Sequence, residues 1–174
     1  AAEWGYVFFP SRLESLKRQD LLTEAARHLR CPVKILLGGT GGQHARYAQL
    51  IELYGLQDRV RLMGNFTEAE RVQLYAHALG VVFVPRDEDL GYITLEAMYA
   101  AKPVITCTDS GGPLEFVLPG QTGWVTEPTP EALAEAIEAL WANKARSAAM
   151  GQAGRERVQS LGLSWDRVVE TLCA

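Results

Sequence analysis

Apolar residues follow two alternating patterns along the chain. Six short runs rich in β-branched and aromatic residues have the composition of buried parallel strands: YVFF (6–9), VKILL (33–37), RVRLM (59–63), VVFV (81–84), PVIT (103–106) and GWVT (123–126). Between them lie four longer segments with apolar residues at helical spacing: QDLLTEAARHL, HARYAQLIELYGL, EAERVQLYAHAL and YITLEAMYAA. This alternation predicts an α/β fold, a doubly wound parallel sheet in three α/β/α layers.

After the sixth run the pattern becomes purely helical. The segments are PEALAEAIEALWA, ARSAAMGQAGRERV and SWDRVVETLCA, and Ser164 is a plausible N-cap for the last of them. The sequence contains no internal repeat and no linker composition. We therefore expect residues 1–174 to form a single domain with a helical C-terminal tail.

Composition narrows the class of protein. The chain has 174 residues, of which 48% are hydrophobic, enough for one domain with its own core. Its formal net charge is −4, and lysines and arginines are spread along the chain rather than clustered. Duplex nucleic acid requires a basic surface, so we expect no nucleic-acid partner.

Three cysteines, Cys31, Cys107 and Cys173, are far apart and lack the spacing of a metal site. An odd number without paired spacing predicts buried thiols in a reducing compartment. No stretch approaches the roughly 20 apolar residues of a membrane span, and AAEWGYVFFP has no basic signal-peptide region. A cytoplasmic protein, or part of one, is the expectation.

The stretch EDLGYITLE, residues 88–96, contains the strongest candidate site. Ligands of doubly wound sheets bind beyond the carboxyl ends of the strands, where this stretch falls. If a helix begins near Gly91, the N–H groups of Gly91, Tyr92 and Ile93 point outward and suit a phosphate. Glycine lets a phosphate oxygen approach the backbone closely because it has no Cβ.

Glu88 and Glu96 stand on either side of this glycine. A carboxylate accepts hydrogen bonds but donates none, so neither acid suits a phosphate, whereas both suit hydroxyl groups. A diphosphate flanked by hydroxyl-rich rings would use all of these groups, which indicates a nucleotide diphospho-sugar. The alternative is a solvated loop acid at Glu88 and a surface helix residue paired with a basic neighbour at Glu96.

Other loops add weaker candidates. Arg12 and Lys17 follow the first strand and could stabilise a departing diphosphate, although an ordinary basic helix start is the alternative. The loop GGTGGQ lacks the full spacing of a dinucleotide fingerprint, and no acid ends the next strand, which argues against a dehydrogenase.

Glu115 either caps its helix or faces the crevice, and we favour the structural role. The three histidines lack a catalytic partner and are predicted at the surface or its boundary: His28, His44 and His77.

Several segments together resemble the C-terminal, donor-binding domain of family 4 retaining glycosyltransferases of GT-B fold, the glycosyl transferases group 1. They are SRLESLKRQD, RVRLMGNFTEAERVQLYAHA, EDLGYITLEAMYAAKPVIT, DSGGPLE, GQTGWVTEPTPEALAEAI and LSWDRVV, in this order. The resemblance covers essentially the whole chain. It is specific because the two glutamates, separated by seven residues, occur with GGPLE and TGWV. It implies a Rossmann-like half of a GT-B fold.

The resemblance also implies roles for individual residues. Arg12 and Lys17 match the basic pair that contacts the donor diphosphate, Glu88 faces the transferred sugar, and these three form the catalytic set. Glu96 matches the acid that binds the nucleotide ribose. The remaining donor-binding positions are the amide cradle and the segment whose backbone frames the base: Gly91, Tyr92, Ile93, Asn65 and Phe66.

Such enzymes need no metal, so the resemblance implies neither a metal nor a cofactor beyond the donor itself. The leaving group departs and the acceptor attacks from the same face, while the two glutamates place the donor without carrying protons. One departure bears on the site: the glycine usual after the loop lysine is Arg18 here. It leaves open whether Lys17 or Arg18 meets the phosphate.

Members of this family have two Rossmann-like domains, and this chain holds one. We therefore expect a fragment that binds a donor such as a UDP- or GDP-sugar but transfers sugar poorly without its N-terminal acceptor domain. Peripheral membrane association would arise only through that missing domain. The last helix crosses to the first domain in such enzymes, so SWDRVVETLCA would expose apolar residues here. Two alternatives stay open: a stand-alone nucleotide-sugar-binding or interaction module, and a GT-B sugar epimerase.

Overall fold

A computed structural model describes residues 5–162 and contains one six-stranded sheet in which every pairing is parallel. The strand order is β3-β2-β1-β4-β5-β6. The strands are β1 (Tyr6–Pro10), β2 (Lys34–Gly38), β3 (Val60–Gly64), β4 (Gly80–Val82), β5 (Val104–Cys107) and β6 (Gly123–Thr126). All six predicted strands and the doubly wound fold class are confirmed.

Six α-helices accompany the strands in the described part of the chain. They are α1 (Gln19–Ala25), α2 (His44–Leu53), α3 (Glu68–His77), α4 (Tyr92–Tyr99), α5 (Pro130–Ala142) and α6 (Lys144–Ser160), and short 3₁₀ turns occupy Ser15–Lys17, Ala26–His28 and Gly112–Glu115. Each of the six α-helices agrees with a predicted helix. The predicted helix QDLLTEAARHL continues beyond α1 as the 3₁₀ turn Ala26–His28. The predicted helix SWDRVVETLCA, the N-cap Ser164 and the thiol of Cys173 lie outside the described residues.

The core lies on both faces of the central strands. Every residue of β1 is buried, as expected for a strand covered by helices on both sides. Phe8 contacts Phe66 and Tyr75 edge-on, with ring centroids 5.8 and 5.3 Å apart. Helix α4 buries most of its residues and packs against α6, the last helix among residues 5–162. The central strands β1, β4 and β5 are therefore buried along their whole length, and α4 buries one face against the core.

The strand order places a topological switch point at β1, because its neighbours β2 and β4 belong to the two halves of the sheet. The loops after β1 and β4 leave the sheet at this point, and ligands of doubly wound sheets bind between such loops. We call the space between these two loops the crevice. Helix α4 starts beside it, with Gly91 at its N-cap in the left-handed region (φ 66°). A Cβ at Gly91 would lie 2.9 Å from Cγ of Pro113, so both conformation and space favour glycine.

Arg18 joins three of the loops at this edge of the sheet. Its Nε donates to the carbonyl of Val84 at 2.8 Å, and Nη2 donates to the carbonyl of Pro85 at 3.1 Å. Nη1 and Nη2 bind the two carboxylate oxygens of Asp109 at 2.9 and 2.6 Å. These hydrogen bonds hold the pKa of Asp109 below its ordinary value. We call these contacts the Arg18 bridge; they connect the loops after β1, β4 and β5.

The backbone of Arg18 explains the sequence departure at this position. Its φ of 59° and ψ of 42° are left-handed, a conformation that glycine adopts at little cost and other residues adopt rarely. A non-glycine residue needs compensation there, and the Arg18 bridge supplies it with four hydrogen bonds. The arginine therefore has a structural role, which glycine could not fill.

Backbone contacts fix the loop after β4 against the loop after β5. The N–H of Glu88 donates to the carbonyl of Ser110 at 2.9 Å, and the carbonyl of Glu88 accepts from Gly112 at 2.7 Å. A Cβ at Gly112 would stand 2.1 Å from the carbonyl oxygen of Asp89, so only glycine allows this approach. The position of Glu88 is thus set by its backbone as well as by its side chain.

Other residues singled out in the sequence have plain structural positions. Cys31 and Cys107 are buried free thiols, as predicted, and burial raises the pKa of both. The three histidines are exposed, which confirms their predicted surface positions. Within residues 5–162, no helix is both long and apolar enough to cross a membrane.

Two glycines on α6 give a test of the packing between α4 and α6. A Cβ at Gly151 would lie 2.0 Å from the carbonyl oxygen of Ala101, whereas a Cβ at Gly154 would meet only side chains at 3.5 Å or more. Alanine favours a helix over glycine by about 1 kcal/mol. We expect Gly154→Ala to be neutral or stabilising, and Gly151→Ala to destabilise by about 1–3 kcal/mol through overpacking. Urea denaturation measures both, and equal effects would contradict the packing described.

The Arg18 bridge predicts that glycine is a better replacement for Arg18 than alanine. Both substitutions remove the guanidinium and should cost about 1–3 kcal/mol of unfolding free energy. Arg18→Gly also relieves the left-handed backbone, so it should be about 1 kcal/mol less destabilising than Arg18→Ala. Chemical denaturation of the two variants measures the difference, and a more stable Arg18→Ala would refute it.

The same bridge predicts a pH dependence of stability. The folded-state pKa of Asp109 is depressed, so its stabilising effect is present above the pKa of the unfolded chain and is lost as pH falls below about 4. Without the guanidinium this loss should shrink. We expect the stability of Arg18→Ala to fall less between pH 5 and pH 3 than that of the unsubstituted chain, measured by denaturation at each pH.

Candidate functional site

Lys17 and Glu88 meet in the crevice at the switch point. Nζ of Lys17 lies 2.5 Å from Oε2 of Glu88, and the two side chains are 21% and 25% exposed. The 3₁₀ turn after β1 carries the lysine, and the loop before α4 carries the acid. The predicted neighbours are therefore brought together, and both remain reachable from solvent.

The two adjacent basic residues of this loop point to different partners. Lys17 lies beside Glu88, whereas the guanidinium of Arg18 is engaged by Asp109 and by the carbonyls of the β4 loop. Which of the two meets a phosphate stays a prediction, but their side chains differ in position. Lys17, rather than Arg18, has its charged group at the crevice.

Arg12 stands apart from this pair. Its side chain is 71% exposed, and Nε donates to Glu14 at 2.8 Å. No contact joins Arg12 to Lys17 or Glu88 among the described residues. A role for Arg12 in binding phosphate would require its side chain to leave Glu14, and that role stays a prediction.

The start of α4 follows Glu88 closely in the chain, with Gly91 three residues after it. The N–H groups of Gly91, Tyr92 and Ile93 have no acceptor within residues 5–162, as expected for the first turn of a helix. The positive end of the helix dipole and the ammonium group of Lys17 both favour an anion. Each of these groups would therefore attract a phosphate, and a phosphate at this end of α4 stays a prediction.

Glu96 lies one turn into α4, and its side chain is only 11% exposed. Nη1 of Arg71 contacts both carboxylate oxygens of Glu96, at 3.2 and 3.3 Å. Burial raises the pKa of Glu96, while Tyr75 and Arg71 oppose the rise. The alternative interpretation was correct in expecting a basic partner for this acid. It was wrong in placing the acid on the surface.

Arg71 was missed by the sequence analysis. It lies three and four residues before Leu74 and Tyr75, and so on the inward face of α3. A charged residue at an apolar position of an amphipathic helix is the signal that could have identified it. The start of α3 is fixed by a capping box between Thr67 and Glu70, which sets the position of Arg71.

Asn65 and Phe66 directly follow β3, at the same carboxyl edge of the sheet. Asn65 is exposed, and its Oδ1 accepts a long hydrogen bond from Thr40 at 3.5 Å. The ring of Phe66 packs against Phe8, and a Cβ at Gly38 would lie 2.7 Å from it. The segment is thus anchored by Phe66 and presents Asn65 to solvent, beside the helix that carries Arg71.

Glu115 ends the 3₁₀ turn after β5 and is exposed. Its side chain makes no capping hydrogen bond, but its carbonyl accepts from Nη2 of Arg157 on α6. The backbone of Glu115 thus helps to hold α6.

A family model and a curated relative both match this chain and agree with each other. The glycosyl transferases group 1 model matches residues 3–157. Human alpha-1,3/1,6-mannosyltransferase ALG2 is 32% identical over 165 residues, which cover 86% of this chain and 39% of ALG2.

Solved structures give the same result. HepE of Anabaena in complex with UDP-glucose has a TM-score of 0.81 and 27% identity, with 97% of this chain and 48% of HepE covered. TarM of S. aureus, in a complex that contains UDP, has a TM-score of 0.87 and 26% identity, with 97% of this chain and 34% of TarM covered. This chain spans less than half the length of each of these three proteins. With a family match over most of its residues, the chain belongs to the glycosyl transferases group 1 family.

Proposed function

We propose that this chain is the donor-binding domain of a retaining glycosyltransferase that uses a nucleotide diphospho-sugar. One observation carries the proposal: a helix start suited to phosphate lies between two carboxylates suited to hydroxyl groups, with Lys17 beside the first. A ligand with a diphosphate between two hydroxyl-bearing rings satisfies all of these groups at once. Neither a dinucleotide fingerprint nor a basic surface offers a competing explanation.

The order of groups along the crevice suggests how the donor lies. The sugar is assigned to Glu88, the diphosphate to Lys17 and the start of α4, the ribose to Glu96, and the base to Asn65 and Phe66. The structures of HepE with UDP-glucose and of TarM with UDP support a nucleotide donor. UDP- and GDP-sugars both fit this assignment.

The proposed chemistry is a transfer with retention at the anomeric carbon. The bond between that carbon and the diphosphate oxygen breaks, an acceptor hydroxyl forms a new bond on the same face, and its proton passes to the departing diphosphate oxygen. Lys17 and the amide groups of Gly91, Tyr92 and Ile93 stabilise the charge that develops on the diphosphate. Arg12 would join them if it left Glu14. No metal is needed for this charge stabilisation.

Transfer also needs an acceptor site, which we assign to a preceding N-terminal domain of a two-domain enzyme. ALG2, HepE and TarM are all more than twice as long as their matched portions, which supports this division. The acceptor, and any peripheral membrane association, would then belong to the other domain. We place the protein in the cytoplasm because Cys31 and Cys107 are free thiols.

A thermal-shift panel tests the donor class. The panel contains UDP, GDP, ADP and their common sugar conjugates, with NAD as the control. A ligand at about a hundred times its dissociation constant should add roughly 2.7 kcal/mol and raise Tm by several degrees. We expect a shift with one nucleoside diphosphate family, its loss in Glu96→Ala, and none with NAD. An NAD shift, or an undiminished shift in Glu96→Ala, would contradict the assignment.

The pairing of Lys17 with Glu88 predicts that Glu88→Gln has opposite effects on two quantities. They are the affinity for the nucleoside diphosphate and the additional affinity that the attached sugar gives. Freeing Lys17 from its carboxylate should tighten the binding of a nucleoside diphosphate several-fold, since the ammonium group no longer pairs with a competing anion. The additional affinity given by the sugar should fall, because an acceptor of sugar hydroxyls is weakened. Lys17→Met should weaken both ligands by about tenfold or more.

Isothermal titration with the nucleoside diphosphate and its sugar conjugate measures both effects. Glu135→Gln on α5 is a matched control, since Glu135 is exposed and outside the crevice. Equal weakening of both ligands by Glu88→Gln would refute the assignment of the sugar to Glu88.

A further inference from the structure

The carboxylate of Glu96 is held from one side by α3. Arg71 places Nη1 on both of its oxygens, and Nη2 of the same guanidinium contacts both oxygens of Glu68, at 2.6 and 2.5 Å. The three side chains form a line from solvent inwards: Glu68 is 77% exposed, Arg71 28% and Glu96 11%. The outer acid thereby fixes the guanidinium that contacts the inner one.

A hydroxyl group completes the surroundings of Glu96. The side chain of Tyr75 is buried, and its hydroxyl has no hydrogen-bond partner among the described residues. Burial raises the pKa of Tyr75 well above its ordinary value, and the nearby negative charge of Glu96 adds to the rise. The tyrosine is therefore a neutral group beside the acid.

An ionised carboxylate has two oxygens with about four lone-pair sites. Arg71 occupies one site on each oxygen, and the hydroxyl of Tyr75 makes no hydrogen bond to either, so one site on each oxygen is left for another donor. Two hydroxyls on adjacent carbons of a ribose are donors at matching spacing. The contact geometry thus leaves Glu96 capable of accepting from a vicinal diol without releasing Arg71.

Ionisation of Glu96 is the second requirement. A buried carboxyl tends to stay protonated, and a protonated carboxyl loses one of its acceptor oxygens. The charged and titratable groups around Glu96 are Glu68, Arg71 and Tyr75 from α3, with Tyr92 of α4 beside Tyr75. Arg71 is the one cation in this set, so it is the group that favours the ionised acid.

We propose that Arg71 is a positioning residue that holds Glu96 ionised and in a fixed orientation for the two ribose hydroxyls, with Glu68 as its outer support. The inference rests on the proposed function, in which Glu96 binds the ribose. It adds that discrimination between ribose and deoxyribose depends on a residue that does not itself touch the ligand.

The test compares nucleoside diphosphates with and without the 2′-hydroxyl. Dissociation constants of UDP, 2′-deoxy-UDP, GDP and 2′-deoxy-GDP are measured by titration calorimetry on the 174-residue chain between pH 5.5 and pH 8.5. The ratio of the ribose and deoxyribose constants at each pH cancels the titration of the phosphates. The unsubstituted chain should prefer ribose by about tenfold, the value of one charged hydrogen bond.

Arg71→Gln should reduce this ratio toward one at pH 6. Removing the cation raises the pKa of Glu96 further, so the acid is protonated at low pH and ionises as pH rises. The ratio should therefore recover partly at pH 8.5. Arg71→Lys keeps the charge with poorer geometry and should lose only a few-fold. Arg155→Gln, an exposed arginine on α6, is the matched control and should change nothing.

The outcomes separate the two proposals. An unsubstituted chain that binds none of the four ligands, or binds both sugars equally, contradicts the donor assignment or the role of Glu96, and this inference with it. A chain that prefers ribose while Arg71→Gln keeps the full preference at every pH overturns the role of Arg71 alone. If Arg71→Gln does not fold, an unchanged preference in Arg71→Lys overturns it equally, since lysine cannot reproduce the fork.

Discussion

The contact on which the carboxyl edge of the sheet depends is the Arg18 bridge. Three loops meet there, and none of them is part of the regular hydrogen bonding of the sheet. The guanidinium binds carbonyls of the β4 loop and the carboxylate of the β5 loop, while its own backbone forms the turn into α1. Lys17 is the preceding residue, so the direction of its side chain follows from this turn. The spacing between Lys17 and Glu88 is therefore a consequence of the bridge as much as of their own attraction.

Most of the fold could be predicted because its signals are local. Each strand is a short apolar run and each helix shows helical spacing. Both patterns depend only on residues that are close in the sequence. The start of α4 was equally readable, since glycine before an apolar helix is a local feature. The relation of Glu96 to Arg71 could not be read in the same way, because it joins two helices that are separated by β4. The choice between Lys17 and Arg18 depended on Asp109, which lies 91 positions away in the chain.

The site also shows why base and ribose recognition would be coupled. Asn65 and Phe66 lead directly into α3, and Arg71 lies on the second turn of that helix. The same capping box that begins the helix fixes the distance from Asn65 to Arg71, and Arg71 contacts Glu96 on α4. A shift of the segment after β3 would thus be transmitted to the acid, through a helix rather than through the ligand.

Helix α4 is enclosed by the sheet on one side and by α6 on another, and the glycine at position 151 brings the backbone of its C-terminal end against α6. Packing on both sides restrains sliding and rotation of this helix. A ligand that binds at its first turn would then meet an ordered backbone and would lose little conformational entropy there. Adaptation to ligands of different size must then come from side chains and from the exposed loops. Family members that bind different ligands would therefore differ in those loops more than in the backbone of α4.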